Sequence, residues 1–231
     1  MSLWESVQVA LEGLVANKMR AALTMLGIVI GVASVIAMLA LGRGAREQTM
    51  QRIQQMGTNL LIVFSGRSHS GTVRGGMGSN QTLTLDDADA IAKGCPSVLA
   101  VAPEVQTNAQ VKYKNQNTNT TVLGEMPEFL SVRNYQVQEG RFFTPEEVKS
   151  YRKVAVIGPT SATNLFGESD PVGQNVRIRG IQFQIVGLMK SKGTSGSFND
   201  PDDQLIIPVT TAMRRVIGTQ YVRAISVQAK S

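Results

Sequence analysis

The longest hydrophobic stretch of the chain covers residues 21–41, AALTMLGIVIGVASVIAMLAL, and these 21 residues include no charged side chain. As a helix the stretch would be about 31 Å long, close to the thickness of the hydrocarbon core of a bilayer. Lys18 and Arg20 precede it, and Arg43 and Arg46 follow it. A cleaved signal peptide has a shorter apolar region and a shorter leader, so the pattern predicts a retained transmembrane helix.

Apolar residues also recur at helical spacing between residues 3 and 16, with Glu5, Gln8 and Glu12 on the opposite face. This pattern predicts an amphipathic helix within residues 1–20. Two interpretations stay open: the helix lies on the membrane surface with Trp4 at the interface, or it packs against a partner.

The segment after the span, RGAREQTMQRIQQM, contains no proline and carries a narrow apolar stripe of Met50, Ile53 and Met56. We interpret residues 42–57 as a stalk helix that continues the membrane helix and ends at Gly57. Residues 21–56 as one helix would be about 54 Å long. Gln51 lies in the middle of this stalk and off the stripe.

Three small residues, Gly27, Gly31 and Ser34, share one face of the predicted span. Small residues four positions apart allow two helix backbones to approach closely in lipid. We expect this face to pack against another membrane helix, although glycine is common enough in such helices that chance is the alternative.

Beyond the stalk, short apolar runs alternate with turn residues. Leu60–Phe64 has the pattern of a buried strand, and a loop rich in Gly and Ser follows it. Thr84 and Asp87 predict a capping box at the start of a helix that ends near Gly94. Residues 98–105 and 109–113 are predicted strands. The polar run NQNTNTT at 115–121 is a predicted turn, and 121–123 is the returning strand.

From residue 126 the chain shows short strands and a regular spacing of Gly and Pro. A further strand at 205–207, a helix at 211–217 stopped by Gly218 and a last strand at 222–227 complete the pattern. The order resembles a split βαββαβ module with an insertion in its middle, which is an α+β fold. The predicted strands of the insertion are 141–143, 154–158, 176–178 and 183–187.

The composition is that of a globular domain with one membrane segment. Of 231 residues, 17% are charged and 42% hydrophobic, and the net charge is +6. The basic residues are spread along the chain and aromatic residues make up only 5%, so neither a basic stripe nor a stacking platform indicates nucleic-acid binding.

Catalytic and metal-binding motifs are missing from the sequence. It contains no phosphate-binding G-x-x-x-x-G-K-[ST], no H-E-x-x-H, no G-x-S-x-G and no C-x-x-C. The single cysteine, Cys95, and the single histidine, His69, have no partners nearby in sequence. Asp200, Asp202 and Asp203 lack the spacing of a calcium loop. We therefore predict a protein that is not an enzyme and has neither a metal nor a cofactor.

An ordered set of segments resembles MacB-type ABC transporter permeases. Residues 16–45 look like the first membrane helix of that family, and the resemblance extends over nearly the whole chain. The segments that carry it are GTNL (57–60), EGRFF (139–143), VAVIG (154–158), LFG (165–167), DPVG (170–173), FQIVG (183–187) and PVTTAMRRVIG (208–218).

The resemblance implies a two-lobed extracytoplasmic domain, with residues 58–125 and 206–230 as a porter-like α/β lobe and 126–205 as an inserted β-rich lobe. It places residues 1–20 in the cytoplasm and 42–231 outside the bacterial inner membrane. It implies an ABC-type ATPase on a separate domain or subunit, a second permease copy, a periplasmic adaptor protein and an outer-membrane channel as partners. Family substrates include macrolides, peptides or toxins, and lipoproteins.

The sequence departs from the family at its end, because family permeases continue through a return stalk and three further membrane helices. We expect that this sequence alone does not form a complete translocation unit. Two other hypotheses stay open at this point: a single-pass anchored binding or scaffold domain without transport, and a membrane-anchored hydrolase, against which the missing motifs argue.

Overall fold

The computed structural model describes residues 17–56, 59–66, 69–70, 73–74, 81–193 and 200–230, together with Trp4 and Gln8. Apart from Trp4 and Gln8, the predicted amphipathic helix at 3–16 lies outside these residues, and so does the predicted helix end at Gly57. Two compact units are present, Met1–Gln55 and Met56–Ser231.

Helix α1, Lys18–Met56, makes up most of the first unit, and it joins the predicted membrane segment to the predicted stalk. It has 39 residues and no proline to interrupt its hydrogen bonds. The backbone N–H groups of Arg20 and Ala21 donate to the carbonyl of Asn17 at its start. Leu23, Ile28 and Ile36 are more than half exposed, as are the other large apolar residues of the span.

The second unit is an α+β domain, as the sequence predicts, built around a sheet of nine strands. Its helices are short and alternate with strands along the chain. The last of them, α6, continues as a π-helix. The strands are β1 Leu60–Phe64, β4 Val98–Tyr113, β5 Gln116–Glu125, β6 Val137–Gly140, β7 Val154–Ile157, β8 Asn175–Ile178, β9 Ile181–Met189, β10 Gln204–Pro208 and β11 Ala224–Ala229, and a separate pair consists of β2 His69–Ser70 and β3 Val73–Arg74. The helices are α2 Leu85–Gly94, α3 Phe129–Val132, α4 Pro145–Lys149, α5 Pro159–Phe166 and α6 Val209–Thr211, with the π-helix at Ala212–Ile217.

Strand β4 belongs to two parts of the sheet. Its first half pairs with β11, which pairs with β1, so that β1, β11 and β4 form an antiparallel segment. Its second half pairs with β5. β5 pairs with β10, β10 with β7, β7 with β9, and β9 with β8. Because β8 also pairs with β4, these six strands form a closed ring. β6 adds to β9 beside this ring.

The core lies among the strands of the ring. Strands β8 and β9 alternate between buried and more exposed residues, whereas every residue of β7 and β10 is buried. Each strand of the ring contributes a side chain that is 1% exposed or less. These residues are Val111, Val122, Val156, Ile178, Ile185 and Ile206.

The predicted capping box of α2 is confirmed. The Thr84 hydroxyl accepts from the backbone N–H of Asp87, and the Asp87 carboxylate accepts from that of Thr84. The predicted helix end at Gly218 is also confirmed, since this glycine has a left-handed φ of 76° and its N–H donates to the carbonyl of Met213.

Two local predictions are wrong. The polar run 115–121 is not a turn, because the turn is confined to Lys114 and Asn115 and the run continues as β5. Pairing of β5 with β4 on one side and β10 on the other outweighs the low strand preference of asparagine. Residues 141–143 are not a strand either: β6 ends at Gly140, whose φ is 75°, and the chain turns there.

Candidate functional sites

The uncharged part of α1 has the properties of a membrane span. The most apolar part of Lys18–Met50 has a mean hydropathy of 2.5, and no residue of that part is buried within the structure. It is the one helix among the described residues that is long and apolar enough to cross a membrane. A helix that is apolar on all sides and has no protein neighbour is typical of a lipid-facing segment.

The small-residue face of α1 is open in this chain. A side-chain carbon added at Gly27 or Gly31 would meet nothing within 4 Å. The hydroxyl of Ser34 donates to the carbonyls of Ile30 and Gly31, each at 2.9 Å, so it is satisfied within its own helix. Packing of this face against a second helix stays a prediction.

The residues predicted to flank the membrane are exposed. Lys18 and Arg20 lie before the uncharged run on α1, and Arg43 and Arg46 lie after it. Trp4 is helical and 71% exposed. Among the stalk residues Met50 is half exposed, and Gln51, Ile53 and Met56 belong to the same continuous helix.

A charged cleft in the second unit was not predicted from the sequence. It is a cavity of about 210 Å³ between the middle of β4, the second half of β5, the start of β10, and α3 with the segment that follows it. Its polar lining residues are Glu104, Gln106, Thr121, Arg133, Tyr135, Asp200 and Gln204.

An ion pair forms one wall of this cleft. The Nη2 atom of Arg133 lies 3.3 Å from Oε2 of Glu104, and both side chains are largely buried. Tyr135 lies beside Arg133 and stacks on Phe129, with ring centroids 4.9 Å apart. Burial raises the pKa of the Tyr135 hydroxyl, so that it stays a neutral hydrogen-bonding group.

Lys192 connects this wall to the segment after β9. Its Nζ atom lies 3.9 Å from the Tyr135 ring centroid and donates to the carbonyl of Arg133 at 2.6 Å. Partial burial lowers the pKa of Lys192. The cation–π contact and the hydrogen bond together position the 133–135 backbone against the domain.

Behind the cleft lies Glu125, the last residue of β5, which is 1% exposed. Neither of its carboxyl oxygens has a hydrogen-bond partner among the described residues, and Nε2 of Gln204 has none there either. Burial is the main reason that the pKa of Glu125 is raised well above 4.5; the charge of Glu104 adds to the rise and Arg133 opposes it.

The aspartates before β10 stabilise loops. The Asp202 carboxylate accepts from the backbone N–H groups of Lys192 and Gly193, at 2.9 and 3.1 Å. Asp200 accepts from the Thr160 hydroxyl and Asp203 from the Ser161 hydroxyl. In the described part of the chain, no three His, Cys, Asp or Glu residues are grouped so that they could hold a metal ion.

Sequence reasoning missed the cleft because its residues come from four separate segments. Glu104 and Glu125 meet only through the pairing of β4 with β5, and Gln204 joins them through the parallel pairing of β10 with β5. Glu125 follows the predicted strand 121–123 and comes directly before Met126, and a glutamate next to such an apolar run is the one local signal of an unusual position.

Comparison with known proteins places the chain among transporter proteins. The Macrolide export ATP-binding/permease protein MacB of Wolinella succinogenes is 39% identical over 227 residues, which are 98% of this chain and 34% of that protein. The protein of the same name from Azoarcus sp. is 42% identical over 223 residues, 96% of this chain and 33% of that protein. The chain therefore spans about a third of the length of these relatives.

Solved structures share the fold. The periplasmic region of MacB from Actinobacillus actinomycetemcomitans has a TM-score of 0.64 at 20% identity, over 78% of each chain. The extracellular domain of the ABC-type transporter YknZ from Gram-positive bacteria has a TM-score of 0.57 at 24% identity, over 64% of this chain and 74% of that one. The model of the MacB-like periplasmic core domain matches residues 21–231. This chain belongs to the MacB-like periplasmic core domain family.

Proposed function

We propose that this chain supplies the first membrane helix and the extracytoplasmic domain of a permease in an ATP-driven exporter. ATP would be hydrolysed on another domain or subunit, and α1 would connect the membrane to the outer domain. The observation that carries the proposal is the continuity of α1, which extends from the apolar run to Met56, four residues before β1 begins. Both relatives are named as ATP-binding/permease proteins, so their names join ATP binding to a permease in one protein.

A chimeric exporter tests this function. The segment of the Wolinella succinogenes protein that aligns with this chain is replaced by residues 1–231, and macrolide efflux is measured in cells that lack their own exporter. We expect ATP-dependent efflux, which is lost when the phosphate-binding lysine of the ATP-binding domain is replaced. A chimera that assembles and hydrolyses ATP without export would instead support an anchored binding or scaffold domain.

The proposed orientation places residues 1–20 in the cytoplasm and residues 42–231 outside. The basic residues on the two sides of the span do not decide the orientation, since Lys18 and Arg20 oppose Arg43, Arg46 and Arg52. Protease added to intact spheroplasts should digest the large domain and spare an N-terminal tag. Protection of the large domain with loss of the tag would show the opposite orientation.

The proposed assembly contains two copies of the permease, the ATPase, a periplasmic adaptor and an outer-membrane channel. The open face of Gly27, Gly31 and Ser34 supports a helix–helix contact within it, because none of the described residues fills the space at the two glycines. Within the outer domain, 58–125 with 206–230 would form a porter-like lobe and 126–205 an inserted lobe. Macrolide-like drugs, peptides and lipoproteins are the proposed substrate classes.

A further inference from the structure

The charged cleft contains an arrangement that the proposed transport function does not explain. Glu104 on β4 pairs with the guanidinium of Arg133, and the buried Glu125 on β5 lies across the strands from Glu104. Val105 pairs with Gly124 in the antiparallel register, so the preceding residue of β4 and the following residue of β5 are neighbours across the strands.

The orientation of Glu125 follows from the residue before it. Gly124 faces α6 and the π-helix, because a side-chain carbon there would collide with Ala212 and Val105. Successive residues of a strand point to opposite faces, so Glu125 points away from α6, toward the cleft wall that carries Arg133. Leu123, on the same face of β5, lines the cleft.

The surroundings of Glu125 favour its neutral form. Its carboxyl oxygens are buried and have no hydrogen-bond donor among the described residues. The guanidinium of Arg133 is already hydrogen-bonded to Glu104. On β10, Glu125 is paired with Pro208, which carries no charge and no N–H donor. The charged groups that act on Glu125 are therefore Glu104 from β4 and Arg133 from the segment after α3.

We propose that Glu125 carries a proton in the closed cleft and that its release opens the wall formed by residues 129–135, making the wall a pH-responsive element. An ionised carboxylate cannot stay buried without donors, because the cost of removing the charge from water is not repaid. Either water enters behind the wall or Arg133 turns from Glu104 toward Glu125. Both changes disturb the Arg133–Glu104 pair that holds the wall.

The direction of the pH effect is fixed by the folded-state pKa of Glu125, which is raised. At a pH below the ordinary pKa of glutamate, Glu125 is protonated in both the folded and the unfolded state. Its contribution to the stability of the folded state is then fully present. As the pH rises, the unfolded state releases its proton first, so the closed form loses stability up to the raised folded value. Opening is therefore expected as the pH rises toward and above the raised pKa of Glu125.

The test uses the full chain in detergent micelles and two readouts over a range of pH. Difference infrared spectroscopy detects the protonated carboxyl group. Hydrogen exchange with mass spectrometry measures protection of the 126–137 peptide relative to the β4–β5 hairpin, corrected for the intrinsic rate at each pH. We expect the carboxyl band to disappear and the 126–137 protection to fall with the same midpoint.

Three variants separate this coupling from a purely structural role. Glu125→Gln should abolish the band and the pH-dependent loss of protection. Glu104→Gln should move the midpoint to lower pH, since it removes the negative neighbour, and Arg133→Gln should move it to higher pH. Glu128→Gln, at an exposed glutamate next to the same segment, is the matched control and should leave the midpoint unchanged.

Two outcomes would overturn the proposal. One is a Glu125→Gln protein whose 126–137 protection follows the wild-type pH curve. The other is that the midpoints of the single variants Glu104→Gln and Arg133→Gln do not move in opposite directions. This second comparison decides the question even if Glu125→Gln does not fold.

Discussion

Arg141 holds the carboxylate of Glu147 through two hydrogen bonds, from Nη1 to Oε2 at 2.7 Å and from Nη2 to Oε1 at 2.8 Å. The same carboxylate accepts from the backbone N–H of Thr144 and completes the capping box of α4. The backbone N–H of Arg141 donates to the carbonyl of Val186 on β9. One carboxylate thus stabilises both the start of α4 and the turn that follows β6.

Replacing Glu147 with alanine should destabilise the domain. The variant loses a cap and a bidentate pair whose glutamate side chain is 17% exposed, and we expect the free energy of unfolding to fall by about 1–2 kcal/mol. Denaturant unfolding of the full chain in micelles measures the change. Glu168→Ala, at an exposed glutamate, is the control; equal midpoints for the two variants would show that the Glu147 contacts contribute nothing.

The effect of Glu147→Ala should depend on pH. Hydrogen bonding to Arg141 lowers the folded-state pKa of Glu147, so its contribution is present above the ordinary glutamate value and is lost as the pH falls through the lowered value. The stability difference between wild type and variant should therefore be constant near neutral pH and shrink below about pH 4. A difference that stays the same down to pH 2 would contradict the assigned ionisation.

Gly187 on β9 should not tolerate a side chain. An added carbon would overlap the backbone carbonyl of Arg141, which cannot rotate away as a side chain can. We expect Gly187→Ala to cost about 1–3 kcal/mol or to prevent folding. Gly94→Ala, at a helix end where nothing lies within 4 Å, is the matched control. Similar thermal unfolding of both proteins would disprove the close approach of Arg141 and Gly187.

Gly31→Leu should weaken assembly in the membrane without unfolding the outer domain. Leucine would fill the groove that a second helix needs for close contact. Crosslinking within the chimeric exporter measures assembly, and circular dichroism checks the outer domain. Ala33→Leu, outside the Gly27–Gly31–Ser34 face, controls for added volume; if both variants crosslink like the parent, the glycines do not form a packing face.

Local signals in the sequence predicted some parts of the fold well. The uncharged run and the absence of proline through Met56 predicted α1, and Thr84 with Asp87 predicted the start of α2. In both cases the determining interactions lie within a few residues of each other.

Elements that depend on distant partners were predicted poorly or not at all. Asn117 and Asn119 lie in β5 because β4 and β10 pair on both sides of that strand. The cleft requires Glu104, Leu123 and Gln204 to be brought together by the same pairings, and no spacing rule in a single sequence predicts that. The apolar residues of α1 were predicted from composition, and the packing of Gly27, Gly31 and Ser34 against a second helix stays a prediction.

The central claim is that α1 transmits motion between the membrane and the outer domain. An unbroken helix can do so because its hydrogen-bond ladder resists bending. Proline at Gln51 removes one of these bonds and clashes with the carbonyl one turn earlier, which costs roughly 3 kcal/mol or kinks the helix. Gln51 lies on the continuous helix and off the Met50–Ile53 stripe, so the change acts on the backbone.

The decisive measurement compares ATP hydrolysis with macrolide export in the chimeric exporter carrying Gln51→Pro. We predict measurable ATP hydrolysis and no export for Gln51→Pro, whereas Gln51→Ala, which preserves the helix, retains both. Full export by the proline variant would contradict the account, because it would show that the stalk is a passive tether.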